Sequence, residues 1–179
     1  MDDARFELMV REVHEKALRL AFGYLGDWED ARDAVQEAFV KAYRRRHTFR
    51  GDAAPTTWFF PILANHCRDR LRRRKVRSFL VPWRRSRDED SPGPEETHTD
   101  PGPSPEQEVE RRAFLGALRR AVSRLPERQR DVFRLRALAG LSVGETAAAL
   151  GISEGATKAH LFRATRALQG HLAEWRDEP

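Results

Sequence analysis

Residues 88–108, DEDSPGPEETHTDPGPSPEQE, carry 8 acids, 5 prolines, 2 glycines and neither lysine nor arginine. The stretch has nothing apolar to bury, repels itself and favours extended backbone, so it reads as a flexible acidic linker. A chain of 179 residues interrupted there must build its core on either side, as two small units. The expected organisation is a first domain over 1–80, a linker over 81–108 and a second domain over 109–179.

Both flanks show helical periodicity and no strand pattern. Phe6, Val10, Val13, Ala17, Leu20 and Tyr24 recur at three- and four-residue steps and predict a helix over 4–25. Asp27 is a fair cap for a second helix over 28–46, with Ala31, Val35, Ala38, Phe39, Ala42 and Tyr43 as its buried stripe. Asp30, Asp33, Gln36, Glu37 and Lys41 occupy the other face. Gly51 and Pro55 mark a loop. A helix from about Thr56 to 76 must then accommodate Pro61, which deletes one hydrogen bond and crowds the preceding turn.

After the linker, Ser104-Pro105 resembles a capped helix start. Phe114, Leu118, Val122 and Leu125 form the next stripe, Pro126 restarts the chain, and Val132, Phe133, Leu135 and Leu138 follow. The expected fold class is therefore all-α, with two helical domains.

Within SVGETAAALGISEGATKAHLFRATRAL the layout is that of a helix-turn-helix. Ser142 caps a short helix over 143–150, Gly151 supplies the positive-φ turn, Ile152 plugs the core and Ser153 caps a second helix. Early residues of such a second helix reach base edges in the major groove. Ser153, Glu154, Thr157, Lys158, His160, Arg163 and Arg166 are the candidates. An ordinary helical hairpin with a solvated basic face has the same local signature.

Charge distribution separates these alternatives better than the net +5. Residues 1–47 hold 9 Lys/Arg against 10 Asp/Glu, residues 48–87 hold 11 against 2, and residues 109–179 hold 13 against 8. Two basic segments flanking an acidic spacer point to a polyanion partner, most simply nucleic acid. Phe49, Trp58, Phe59 and Phe60 lie in or beside the first basic segment. Aromatics beside cations can grip unstacked bases, at ~1–3 kcal/mol per base, although Trp58 and Phe59 also suit a core.

Three ordered motifs, DARDAVQEAFVKAYRR, the TTW…N…DRLRRR run and LPERQRDVFRLRALAGLSVGETAAALGISEGATKAHLFRATRAL, together resemble bacterial RNA polymerase sigma factors of the compact extracytoplasmic-function group. The resemblance implies a first domain that binds the polymerase clamp coiled coil through Asp33, Gln36 and Glu37. It implies minus-ten recognition and melting by the loop from Phe49 to Thr57, with Arg50, Thr56 and Trp58, and by Asn65, Asp69, Arg70, Arg72 and Arg73 on the adjacent helix. It implies minus-thirty-five recognition by the seven helix-turn-helix candidates, a linker threaded toward the RNA-exit path, and partners comprising core polymerase (clamp and flap), promoter DNA and an anti-sigma factor that can hold the chain at the membrane. Thr157 and His160 depart from the family, which often has a β-branched apolar residue and an arginine there, and Pro61 replaces a polar or basic residue.

Other chemistry is not supported. The single cysteine, Cys67, forms no internal disulfide and there is no CxxC pair, as expected for a reducing cytoplasm. The acidic start MDDARFELMV lacks a signal-peptide h-region, and no apolar run reaches the ~18 residues of a membrane span. The six histidines show neither HxxxH nor HExxH, so no metal or other cofactor is expected. Only Asp52 and Asp69 supply carboxylates in residues 48–87, too few for a metal-dependent nuclease. No phosphate-cradling glycine loop, GxSxG or acid–base pair is present, so neither catalysis nor a small-molecule substrate is expected. An independent dimeric helix-turn-helix regulator is the alternative, but it leaves the Asp33–Glu37 face and the 47–75 segment without a task.

Overall fold

The computed structural model describes residues 1–51, 54–80 and 104–175, which contain seven α-helices and no strand. The N-terminal unit is a three-helix pack of α1 (Asp3–Leu25), α2 (Trp28–Arg44) and α3 (Pro55–Leu80), with a 3-10 turn at Arg46–Thr48. The Asp2 carboxylate accepts the Arg5 N–H at 2.8 Å, and the Asp27 carboxylate accepts that of Asp30 at 2.8 Å. Each satisfies one of the donors that a helix start leaves open.

Alanines let these helices approach closely. Ala31, Ala34, Ala38 and Ala42 line the inner face of α2 and are fully buried, opposite Val13, Ala17 and Leu20 of α1 and Phe59, Phe60 and Leu63 of α3. Phe59 also stacks on Phe39, 4.7 Å between centroids. The expected stripe on α2 needs one correction. Tyr43 is 41% exposed, with its ring edge against Phe6 and its face under the Arg46 guanidinium.

Helix α3 starts on Pro55, where the missing N–H costs nothing, and continues through Pro61. The ring leaves the Thr57 carbonyl without its usual i+4 donor.

The C-terminal unit comprises α4 (Pro105–Arg124), α5 (Glu127–Ala137), α6 (Val143–Leu150) and α7 (Glu154–His171), then a 3-10 turn at Ala173–Trp175. Helix α4 begins four residues before the expected domain boundary of 109. Ser104 and Gln107 form a reciprocal capping box, so residues 105–108 belong to the helix rather than to the linker. Most of the expected linker lies outside the described residues. A second small core joins α4 to α7 through Ala121, Val122, Leu125, Ala164 and Leu168.

A second capping box, Ser142 with Glu145, starts α6. The Ser142 backbone N–H donates to Glu145 Oε2 at 2.7 Å, and the Glu145 N–H donates to Ser142 Oγ at 3.1 Å. The Ser142 backbone N–H first, and then its hydroxyl, hold the Glu145 carboxyl below its ordinary range. Ser142→Ala is expected to cost ~1 kcal/mol, read as a lowered midpoint in chemical denaturation.

The two units are packed together. Leu135, Ala139 and Leu141 are buried in the same apolar cluster as α1–α3, with Leu138 and Leu150 against it. Helix α5 lies on α1, and α6 lies on α3. Gly23 sits where they meet. A Cβ there would run into Leu138 Cδ1, so a larger residue would require the Leu138 side chain to move.

Candidate nucleic-acid interface

The outer face of α2 presents Asp33, Gln36, Glu37 and Val40, the last 50% exposed. Asp33, Gln36 and Glu37 therefore share one solvent-facing surface, as their i, i+3, i+4 spacing requires. Glu37 is also braced from α3. Its Oε2 lies 3.0 Å from His66 Nε2, and its Oε1 lies 3.5 Å from Arg70 Nη1. His66 is 5% exposed and faces Lys41 Nζ through Nδ1 at 2.5 Å. Burial, then the Lys41 charge, keep the ring below its usual pKa.

Along α3, Asn65, Asp69, Arg72 and Arg73 are exposed. Arg70 is not an open cation, because its guanidinium also bridges to Asp30 Oδ1 at 3.1 Å, so it ties α3 to α2. Arg68, absent from the expected set, donates to Asn65 Oδ1 at 2.6 Å and fixes that amide. Asp69 pairs with Arg72 at 3.5 Å.

The aromatic residues divide. Phe59 and Phe60 are core, at 0% and 1% exposure, and cannot stack on a base. Phe49 is buried as well, edge-on to Trp58 at 5.7 Å and beneath the Arg5 guanidinium at 5.2 Å. It was expected as an open base platform; here a base could reach it only by displacing Arg5. Thr57, also expected to face DNA, is buried and donates to Glu145 Oε1 at 3.4 Å. Arg50 is exposed, and Thr56 and Trp58 are half-buried.

On the second unit the helix-turn-helix is as its sequence signals require. Gly151 has φ 63° between α6 and α7, and Ser153 Oγ accepts the Ala156 N–H at 3.1 Å. Glu154, Lys158, Arg163 and Arg166 are exposed on α7, His160 is half-buried, and Thr157 is fully buried. The outward expectation for Thr157 is thus wrong. Its hydroxyl donates to the Ser153 carbonyl at 3.0 Å, which satisfies it inside the protein and lets it fill the position of a small apolar residue. The Glu154 carboxylate lies against Gly144 of α6.

Phe162 was absent from the candidates, yet it is 65% exposed. It lies one turn after Lys158 and one turn before Arg166, in the middle of the basic stripe. An aromatic residue in a helical sequence passes for core; its i+4 spacing from Lys158 was the available signal.

The described residues contain no cluster of three or more groups suited to a metal. The Cys67 thiol is buried, which pushes its pKa up to about 12 and leaves it unreactive.

Comparison with known proteins identifies the family. The chain matches the family profile Sigma-70 region 2 over residues 9–77 and Sigma-70, region 4 over residues 115–168. It is 32% identical over 172 residues to the RNA polymerase sigma-H factor of Pseudomonas aeruginosa, covering 96% of this chain and 88% of that protein. It is 31% identical over 177 residues to the ECF RNA polymerase sigma-E factor of Escherichia coli K12, again covering 96% and 88%. Two solved structures share the fold. The sigma factor RpoE in complex with the anti-sigma factor NepR, from Bartonella quintana, has a TM-score of 0.70 at 23% identity, covering 94% of this chain and 96% of that one. CnrH in complex with the cytosolic domain of CnrY has a TM-score of 0.68 at 24% identity, covering 99% and 92%.

Proposed function

This chain belongs to the sigma-70 family, in its extracytoplasmic-function group, and from that premise we propose how its surfaces divide the work of promoter-directed initiation. It is a sigma factor: it binds core RNA polymerase and directs promoter-specific transcription initiation. Asp33, Gln36 and Glu37 of α2 take the clamp coiled coil of the polymerase, with Val40 adding apolar contact. Asn65, Asp69, Arg72 and Arg73 of α3, with Arg50, Thr56 and Trp58 before them, take the minus-ten element. Lys158, Phe162, Arg163 and Arg166 of α7 take the minus-thirty-five element. Phe49, Thr57 and Arg70 join only when the contacts that cover them change.

One observation carries this division. Exposed Asp33, Gln36 and Glu37 on α2 adjoin exposed arginines on α3 within one small pack, while a second exposed basic stripe stands on α7. A protein-binding face and two DNA-binding faces meet the demands of a two-point grip held by a third party. The polymerase supplies the catalysis. An anti-sigma protein is the expected inhibitory partner, and the cytoplasm the expected compartment. No helix among the described residues is long and apolar enough to cross a membrane.

Pull-down with core enzyme and run-off transcription test the reading. Binding to core with initiation at defined promoters is expected, and absence of both ends it.

The base-reading share of Phe162 has its own test. Its ring can pack on a thymine C5-methyl in the major groove, an apolar contact open to phenylalanine. Phe162→Ala is expected to lower initiation by about tenfold, within the ~1–3 kcal/mol that one mismatched base pair costs. Uracil in place of the contacted thymine should reproduce much of that loss in the parent chain and add little in the variant. Equal losses in both would remove Phe162 from the interface.

A further inference from the structure

Arg5, on the first turn of α1, faces the proposed minus-ten loop. Its guanidinium stands over the Phe49 ring, 5.2 Å from the centroid. Trp58 meets the same ring edge-on at 5.7 Å, and Phe49 is left only 9% exposed. Arg5 itself is exposed.

The fold sets this position. Asp3 Oδ1 lies 3.0 Å from Arg46 Nε, three residues before Phe49. The Arg46 guanidinium lies over the Tyr43 ring at 3.9 Å, and Phe6 packs on that ring edge-on at 5.3 Å. Asp3 and Phe6, on either side of Arg5 in sequence, thus fasten the first turn of α1 to the Arg46–Thr48 turn.

Arg5 differs from its neighbours in its electrostatics. Arg46 has Asp3, and Arg11 has Glu7 at 2.6 Å. Among the described residues, no carboxylate stands within ion-pair distance of the Arg5 guanidinium. Its partner is a neutral aromatic face, and a cation–π contact at an exposed site is weak. Stacking of an unpaired base on the same face is stronger. A base that takes Phe49 must displace Arg5, and it brings the phosphates of its own strand with it. The displaced guanidinium is then a cation without a counterion, beside a polyanion.

Resting on the proposed function, we infer that Arg5 is a further minus-ten contact residue. In the free chain it covers Phe49. When a melted base stacks there, Arg5 moves onto a backbone phosphate of that strand. Arg5 then holds the strand while Phe49 takes the base.

Binding of holoenzyme, assembled with the full chain, to a single-stranded oligonucleotide tests this. The oligonucleotide carries the non-template minus-ten strand of a promoter that the holoenzyme transcribes. One phosphate contact on a single strand contributes ~0.7 to the slope of log K against log salt. Arg5→Gln removes the charge and should lower that slope by ~0.7. At ~0.15 M salt it should reduce affinity about fourfold, the weight of that slope relative to 1 M. Arg5→Lys keeps the charge and should keep the slope.

A residue that only shields the ring would leave the slope unchanged in Arg5→Gln, whatever happens to affinity, and that result overturns the inference. An equal fall in slope for Arg5→Lys also overturns it, because the charge would then not be the cause. Both results leave the sigma-factor reading intact. If the parent holoenzyme binds the strand no better than core enzyme alone, the minus-ten assignment falls, and the role of Arg5 falls with it.

Discussion

Reversing the charge on the α2 face, by Asp33→Arg combined with Gln36→Ala, is expected to weaken core-polymerase binding by roughly a hundredfold, about 2–4 kcal/mol. Both side chains are exposed and lie away from the buried stripe of Ala34, Val35 and Ala38. The fold should therefore survive, with the denaturation midpoint close to that of the parent. The loss arises at the partner, where a like-charge contact replaces an attraction and the amide's hydrogen bond disappears. Equilibrium titration of labelled protein with core enzyme measures it. Affinity equal to the parent's would place the polymerase-binding face elsewhere.

The second large effect belongs to α7. Lys158→Ala with Arg163→Ala removes two exposed cations from a helix whose first turn is set by Ser153. Each good base contact is worth ~1–3 kcal/mol. The pair is expected to cut initiation at promoters dependent on the upstream element by about 10- to 100-fold and leave core binding unchanged. Each phosphate contact contributes ~0.9 to the slope of log K against log salt, so the slope of holoenzyme binding should fall by about 1–2. An unaltered slope with unaltered initiation would remove both residues from the interface. The two sets of substitutions thus separate: the first reduces assembly, the second reduces reading.

Much of the helical scaffold was legible because its signals are local. Asp27, Ser142 and Ser153 each cap the helix that their sequence neighbours announce, and Gly151 takes the left-handed turn that the short loop needs. The exposed face of Asp33, Gln36 and Glu37 followed from helical spacing alone. What failed was side-chain orientation at particular positions. Thr157 reads as a polar, outward residue, but one hydrogen bond to the Ser153 carbonyl makes it an acceptable core residue. Phe162 was left out of the candidates, yet its place on α7 turns it to solvent. Phe49 was assigned from its basic neighbourhood, and that same neighbourhood covers it, through Arg5.

The docking of the two halves was not legible at all. Tyr24 and Asp131 are 107 residues apart. Tyr24 fits the apolar stripe of its own helix whether or not an acceptor waits beyond it. Periodicity identifies a buried face without saying which helix will bury it. Gly23, near the end of its own helix, is in three dimensions the niche for Leu138.

The central claim is that this chain gives RNA polymerase a promoter preference that it lacks alone. Mapping transcript 5′ ends from core enzyme reconstituted with the purified chain on bacterial genomic DNA measures that directly. Starts should gather a fixed distance downstream of one shared two-part motif, and should fade from those sites when Lys158 and Arg163 are both replaced by alanine. Starts indistinguishable from those of core enzyme alone would contradict the account.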